Sequence, residues 1–411
     1  MNKDSKIYVA GHRGTAGSAL LEVLSQQGFE NIITRTHIEL DLINQEQVAE
    51  FFAQEKPEYV FLCAVLPCGA ANVAQRGDFL YENIMMQNNI IHSSFLNNVK
   101  KLICYGSGYM YPESAKNPLK EEYLFSGELE WGATSFGVAK IAGAVLCESY
   151  NIQYGTNFLC LALNNLYGTR ANFDFAKSRV LPALLRKFHL AKLLREGREK
   201  EILQELQVQN FKDAKEYLEK FGISEKSVEI WGTGEVRREF LHSFDLADAS
   251  IFVMQNVDFK DLHNGGKQIR NTHINVGTGV DYTIREVALM VKGIVGFEGD
   301  LKFNPSKPDS SMDRLMDISR IQKLGWNPQI SLEKGIQMMY QWYQNTHSNT
   351  SAGGGGFLSA KSGCANDEIA ESKSNQLMDC RDSAITESCN DNHSAVGANN
   401  PCFILKEVRY A

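Results

Sequence analysis

Three glycines recur at a Gly-x-x-Gly-x-x-Gly spacing in Gly11-His12-Arg13-Gly14-Thr15-Ala16-Gly17, between an apolar segment and a helical one. Glycine permits a tight turn and lets backbone N–H groups approach an anion, which a helix N-terminus also favours electrostatically. Gly11, Gly14, Thr15, Ala16 and Gly17 are therefore expected to cradle the pyrophosphate of a dinucleotide. Where an NAD site usually places Asp or Glu, at the end of the next apolar segment, this chain has Thr34-Arg35-Thr36, and Arg13 lies within the glycine run. Two guanidiniums suit a 2′-phosphate, so Arg13 and Arg35 predict NADPH as the cofactor. Asp41 and Leu42 follow at the distance where such sites meet the adenine ring.

Such a cradle needs a strand before it and a helix after it. Lys6–Ala10, Asn31–Arg35, Tyr59–Cys63, Lys101–Tyr105 and Asn157–Leu163 are short, apolar and strand-like, while Ala16–Gln27 and Gln45–Gln54 carry helical periodicity. This alternation predicts an α/β fold, a Rossmann-type doubly wound parallel sheet over residues 1–177, with its ligands at the carboxyl ends of the strands. Residues 178–348 mix helical and strand segments and are expected to form a smaller α/β substrate-binding domain, with some strands free to return to the main sheet. Within it, residues 192–226 look like two amphipathic helices, a surface insertion or a lid. From 349 to 411, after the run Gly353–Gly356, large apolar residues are scarce and a disordered tail is expected.

Composition narrows the class. Of the 411 residues, 43% are hydrophobic and 22% charged, ordinary for a soluble enzyme, and the net charge of −7 gives no reason to expect nucleic acid or an anionic membrane surface. No run of about 18 apolar residues and no signal peptide is evident, so a cytoplasmic location is expected. Cys63, Cys68, Cys104, Cys147 and Cys160 sit in apolar contexts and read as reduced core thiols. Neither they nor the irregularly spaced Cys364, Cys380, Cys389 and Cys402 suggest a metal site.

Several runs in order along the chain resemble GDP-L-fucose synthases, a family of the extended short-chain dehydrogenase/reductases. They are GHRGTAGSAL, the ELDL of Glu39–Leu42, the NNLYG of Asn164–Gly168, RVLPALLRKFH, the REFLH of Arg238–His242, HINVGTGVDYTIRE and SKPD. That family epimerises C3 and C5 of a GDP-4-keto-6-deoxymannose and then reduces C4 with NADPH. The resemblance implies a Ser, a Tyr and a Lys at the reacting carbonyl, with Tyr-x-x-x-Lys on one helix face. Ser107 and Lys140 match, but the Tyr position is Phe136, which has no proton to give. The family's epimerisation Cys is Tyr109 here, and its acid/base His is Arg179, whose guanidinium is effectively never deprotonated.

These departures predict a reductase without epimerase activity. Tyr109, longer than a Cys and on the loop leaving the fourth strand, is expected to be the proton donor beside Ser107, with Tyr111 as the next candidate. By the same resemblance, Lys140, Asn164, Leu166 and Arg179 contact the cofactor, and Asn165, Arg179, Lys187, Trp231, Arg238 and Lys307 hold the nucleotide sugar. A heptose for a bacterial capsule is suggested by the similarity of GSGYMYP and SFGVAK to capsular heptose reductases, and homodimers are common in the family. Two rivals stay open: a bifunctional fucose synthase with rearranged acid/base groups, and an inactive homologue that binds NADP and nucleotide sugar.

Overall fold

The computed structural model describes residues 1–66, 75–175, 177–266, 268–307 and 314–348. The expected tail, Cys68 and the four cysteines beyond residue 360 lie outside them. In chain order the first half runs β1 (Ile7–Ala10), α1 (Thr15–Gln26), β2 (Ile32–Ile33), α2 (Gln45–Glu55), β3 (Tyr59–Leu62), α3 (Arg76–Leu96), β4 (Lys101–Tyr105), α4 (Thr134–Tyr154), β5 (Phe158–Leu163) and β6 (Leu166–Tyr167). The second half runs α5 (Val180–Arg195), α6 (Glu199–Leu206), α7 (Phe211–Lys220), β7 (Ser227–Trp231), β8 (Arg237–Glu239), β9 (Leu241–His242), α8 (Ser243–Asn256), β10 (Ile274–Val276), β11 (Asp281–Thr283), α9 (Ile284–Val295), β12 (Asp300–Asn304), α10 (Ser319–Lys323) and α11 (Leu332–Ser348).

Six strands pair in parallel in the order β10-β5-β4-β3-β1-β2. The central strands IYVA, YVFL, KLICY and FLCLAL are nearly continuous apolar runs because helices cover both faces of the sheet. Buried Lys101 is the exception: its ammonium donates to the carbonyls of Val253 and Val257 at the end of α8, where the helix dipole favours a cation. The strand order reverses at β1, between β2 and β3, which opens a crevice at the carboxyl ends of β1 and β3.

The described residues hold two apolar cores, which do not divide at residue 177. The first takes the sheet and its helices together with α8, β10 and Ile321 of α10; the second takes α5–α7, α9 and α11 with β7. The chain thus leaves the sheet after β5 and returns to it at β10, whose Ile274 lies opposite Leu161. Residues 192–226 are no lid in this arrangement. Ile202, Ala214 and Leu218 are buried in the second core, and buried Glu205 pairs there with Arg186 and His189. Cys63, Cys104, Cys147 and Cys160 are buried free thiols. Among the described residues no helix is long and apolar enough to cross a membrane, and no group of His, Cys, Asp or Glu side chains is arranged to hold a metal ion.

Candidate active site

The glycine run sits at the reversal point. Gly11 has φ +81°, and a Cβ there would come within 2.5 Å of the Ala64 nitrogen just beyond β3, so only glycine allows the two strand ends to close on each other. Gly14 caps α1 in an extended conformation with no side-chain cap, and the first turn carries no acidic residue. The N–H groups of that turn therefore stay available, and a bound anion there meets the dipole without a competing carboxylate. Arg13 is exposed, and Arg35 bonds Glu55 at 2.5 Å while lying over the Phe51 ring. Both guanidiniums act on one further group: the Glu39 carboxyl is held below its usual range first by hydrogen bonds from Thr36, then by the charges of Arg35 and Arg13. Both cations thus lie within electrostatic reach of Glu39, an arrangement that fits the 2′-phosphate of NADPH. Asp41 faces His37 at 3.7 Å, and Leu42 is buried, its carbonyl bonded by Asn89.

Along the same edge a cleft gathers residues from distant parts of the chain. Ala16, Ser107, Tyr109, Lys140, Asn164, Asn165, Leu166, Arg179 and Arg238 line it, with Phe136 and Arg314. Ser107 ends the extended segment after β4 and caps a single helical turn, Gly108–Met110, accepting the Tyr109 N–H at 3.3 Å. That turn packs against α4 because residue 137 is glycine: a Cβ there would lie 2.4 Å from the Tyr109 carbonyl oxygen. Close packing brings the half-buried Tyr109 ring edge-on to buried Phe136, with centroids 6.3 Å apart and planes at 77°. One turn further along α4, buried Lys140 places Nζ 5.7 Å from the Phe136 ring and 3.4 Å from Gln87 Oε1. Burial lowers the Lys140 pKa against the pull of neighbouring thiols. Tyr109 thus sets a phenol ring beside Phe136, in the same cleft as Ser107 and Lys140.

Tyr111 is excluded from that role. Its hydroxyl donates to Asn275 at 2.5 Å and contacts His273 Nε2 at 2.9 Å deep in the core, where burial raises its pKa well above the ordinary value. Lys187 is also bonded within the protein. Its ammonium, buried between α5 and β7, donates to the carbonyls of Phe221 and Glu229 at 2.7 and 2.9 Å, and burial lowers its pKa to about 8. Two of its three N–H donors are thus taken by backbone carbonyls. Trp231 is exposed, and Lys307 stands over its indole face at 5.3 Å, so these two form a unit at the edge of the β7–β12 pair.

Two residues that sequence reasoning missed brace the segments that line the cleft. Glu239, beside Arg238 on β8, is fully buried and accepts the backbone N–H groups of Thr278, Gly279 and Met316 at 2.7, 2.8 and 3.1 Å. Burial nevertheless raises its carboxyl to about 7, outweighing those bonds. Its backbone carbonyl accepts from Asn165, tying the sugar-side turn to the same point. Arg314 donates to the Gly108 carbonyl and to Glu130, both at 2.9 Å, and its own carbonyl accepts from Asn164. The carboxylate inside the REFLH run was the available signal for Glu239; Arg314 had none.

Residues 7–277 match the NAD dependent epimerase/dehydratase family. The chain belongs to that family. Among its relatives, the GDP-L-fucose synthase of Escherichia coli K12 is 41% identical over 339 residues, 82% of this chain and 96% of that protein. A putative GDP-L-fucose synthase of Arabidopsis thaliana is equally similar, at 41% over 344 residues, 84% of this chain and 93% of the relative. Two solved structures from Campylobacter jejuni are closer in sequence. A GDP-6-OMe-4-keto-L-xylo-heptose reductase is 70% identical with TM-score 0.82, and a GDP-mannoheptose C4 reductase with NADP bound is 69% identical with TM-score 0.77. Each alignment covers 84% of this chain and 99% of the other.

Proposed function

We propose that this chain is an NADPH-dependent C4 reductase of a GDP-4-keto sugar, a heptose destined for a capsule or surface polysaccharide, and that it does not epimerise its substrate. The observation that carries the reading is the Tyr109 ring lying edge-on to Phe136, in one cleft with Ser107 and Lys140. NADPH supplies the hydride for the C4 carbonyl carbon. Tyr109 gives its hydroxyl proton to the C4 oxygen, Ser107 hydrogen-bonds that oxygen, and Lys140 holds the cofactor ribose. The glycine run grips the pyrophosphate, while Arg238, Arg179, Asn165 and the Trp231–Lys307 pair hold the nucleotide sugar. The substrate class is supported by the likeness to the two Campylobacter jejuni reductases. Loss of epimerisation is supported by the chemistry of Tyr109 and Arg179: neither offers a thiolate or an imidazole to remove a proton beside a ketone.

The test is turnover of GDP-4-keto heptoses with NADPH in D₂O. Consumption of NADPH with no deuterium at C3 or C5 is expected; deuterium at either carbon identifies a bifunctional enzyme, and tight NADPH binding with no turnover across hexoses and heptoses identifies an inactive homologue. Cofactor choice is tested separately. The Arg13→Ala/Arg35→Ala variant should lose most of its preference for NADPH over NADH, about 10²–10⁴-fold for two lost charge-assisted contacts of roughly 1.5–3 kcal/mol each. An unchanged preference in kcat/KM sinks that assignment.

The chain is further proposed to act as a homodimer through α3 and α4. His92, Phe95, Tyr150 and Tyr154 stack together across these helices, and Leu96, Ile152 and Tyr154 are about half exposed at their ends. Light scattering that returns the mass of one chain would reject it.

A further inference from the structure

Arg314 is a costly residue to place where it is. Its side chain is nearly fully buried, and a guanidinium stays charged in any such setting. One carboxylate, Glu130, answers that charge from the side, and Nε finds no hydrogen-bond partner among the described residues. The guanidinium carbon stands 4.9 Å from the centroid of the Tyr109 ring, within the range of a cation–π contact. Meanwhile the bond from Arg314 to the Gly108 carbonyl grips the turn that carries Tyr109. The backbone of Arg314 is itself fixed, by Asn164 at its carbonyl and through Met316 by Glu239. By contrast the ammonium of Lys140 faces Phe136, a ring with no proton to lose.

We infer that Arg314 is a positioning residue for the reduction, holding Tyr109 against the carbonyl and offsetting the negative charge left on its phenolic oxygen. This rests on Tyr109 being the donor. When the O–H bond of Tyr109 breaks, its proton passes to the sugar oxygen as hydride from NADPH reaches C4. The electron pair stays on the phenolic oxygen until solvent returns a proton, and throughout that interval a fixed cation lies against the ring. Moving the donor from position 136 to position 109 has moved it from one buried cation towards another.

The test is a double-mutant cycle of Arg314→Gln and Tyr109→Phe, with NADPH and the GDP-4-keto heptose that the wild type turns over. Arg314→Gln is expected to lower kcat at least tenfold with KM for NADPH unchanged within twofold, and added guanidinium is expected to restore part of the loss. The double variant should be no slower than Tyr109→Phe alone, because the cation has nothing left to act on. Arg314→Lys keeps the buried charge and should recover part of kcat, which separates the effect from misfolding should the Gln variant prove unstable. A crippled Tyr109→Phe beside a normal Arg314→Gln, or losses that simply multiply, overturns the inference while leaving the donor assignment standing. Normal turnover in Tyr109→Phe overturns both.

Discussion

Tyr109→Phe is expected to lower kcat by about 10²–10⁴-fold, the usual contribution of a positioned general acid, while KM for NADPH stays nearly constant. The substitution is clean because phenylalanine keeps the ring. Edge-on contact with Phe136 and the guanidinium over the ring face both survive, and only the hydroxyl is lost. Had Tyr109 been merely a wall of the cleft, its phenylalanine variant would turn over almost normally, and that result in an NADPH oxidation assay would refute the assignment. Lowering kcat with KM unchanged is the signature of an interaction made only in the transition state.

The second large effect concerns stability. Glu239→Ala removes the acceptor of the Thr278, Gly279 and Met316 N–H groups, the last fully buried and the other two partly so. Each buried donor left without a partner costs roughly 1–3 kcal/mol. A loss of about 3–5 kcal/mol is therefore expected, allowing for some water entry, read as a lower urea midpoint. A midpoint equal to the wild type's would show these bonds to be dispensable. The same group predicts a pH dependence. Its folded pKa, about 7, lies above the ordinary 4.5, so between those values the unfolded chain releases a proton that the folded chain keeps. Rising pH favours unfolding there: this contribution to stability is full below about 4.5 and is lost as pH climbs through about 7. Glu239→Gln, which does not titrate, should lack that slope.

Much of this was legible in the chain itself, and what was not has a physical reason. The strands of the central sheet announce themselves because burial on both faces demands continuous apolar runs, and Gly11 because no other residue fits its turn. The Phe at 136 was visible too. Its consequence, that Tyr109 packs against it, depended on a glycine at 137 admitting the turn, which only the packing reveals. β10 escaped notice because three residues, Ile-Asn-Val, carry no periodicity; its place comes from pairing with β5. The two carbonyl bonds of Lys187 were hidden for a similar reason, since a cation on a helix looks the same in sequence whatever acceptors its packing brings. Arg314 meets Gly108 and Glu130 across about two hundred residues of chain, a distance over which no local pattern carries information.

The return of the chain to its first sheet has a consequence for how the molecule is made. Until β10 has been synthesised, β5 is an outer strand with unpaired N–H and C=O groups along FLCLAL, an apolar edge open to pairing with other chains. More than a hundred residues, including over half of the second core, must leave the ribosome before Ile274–Val276 can cover it. The nascent chain therefore passes through a long interval in which the apolar edge of β5 is uncovered, and protection of that segment by a chaperone matters during synthesis.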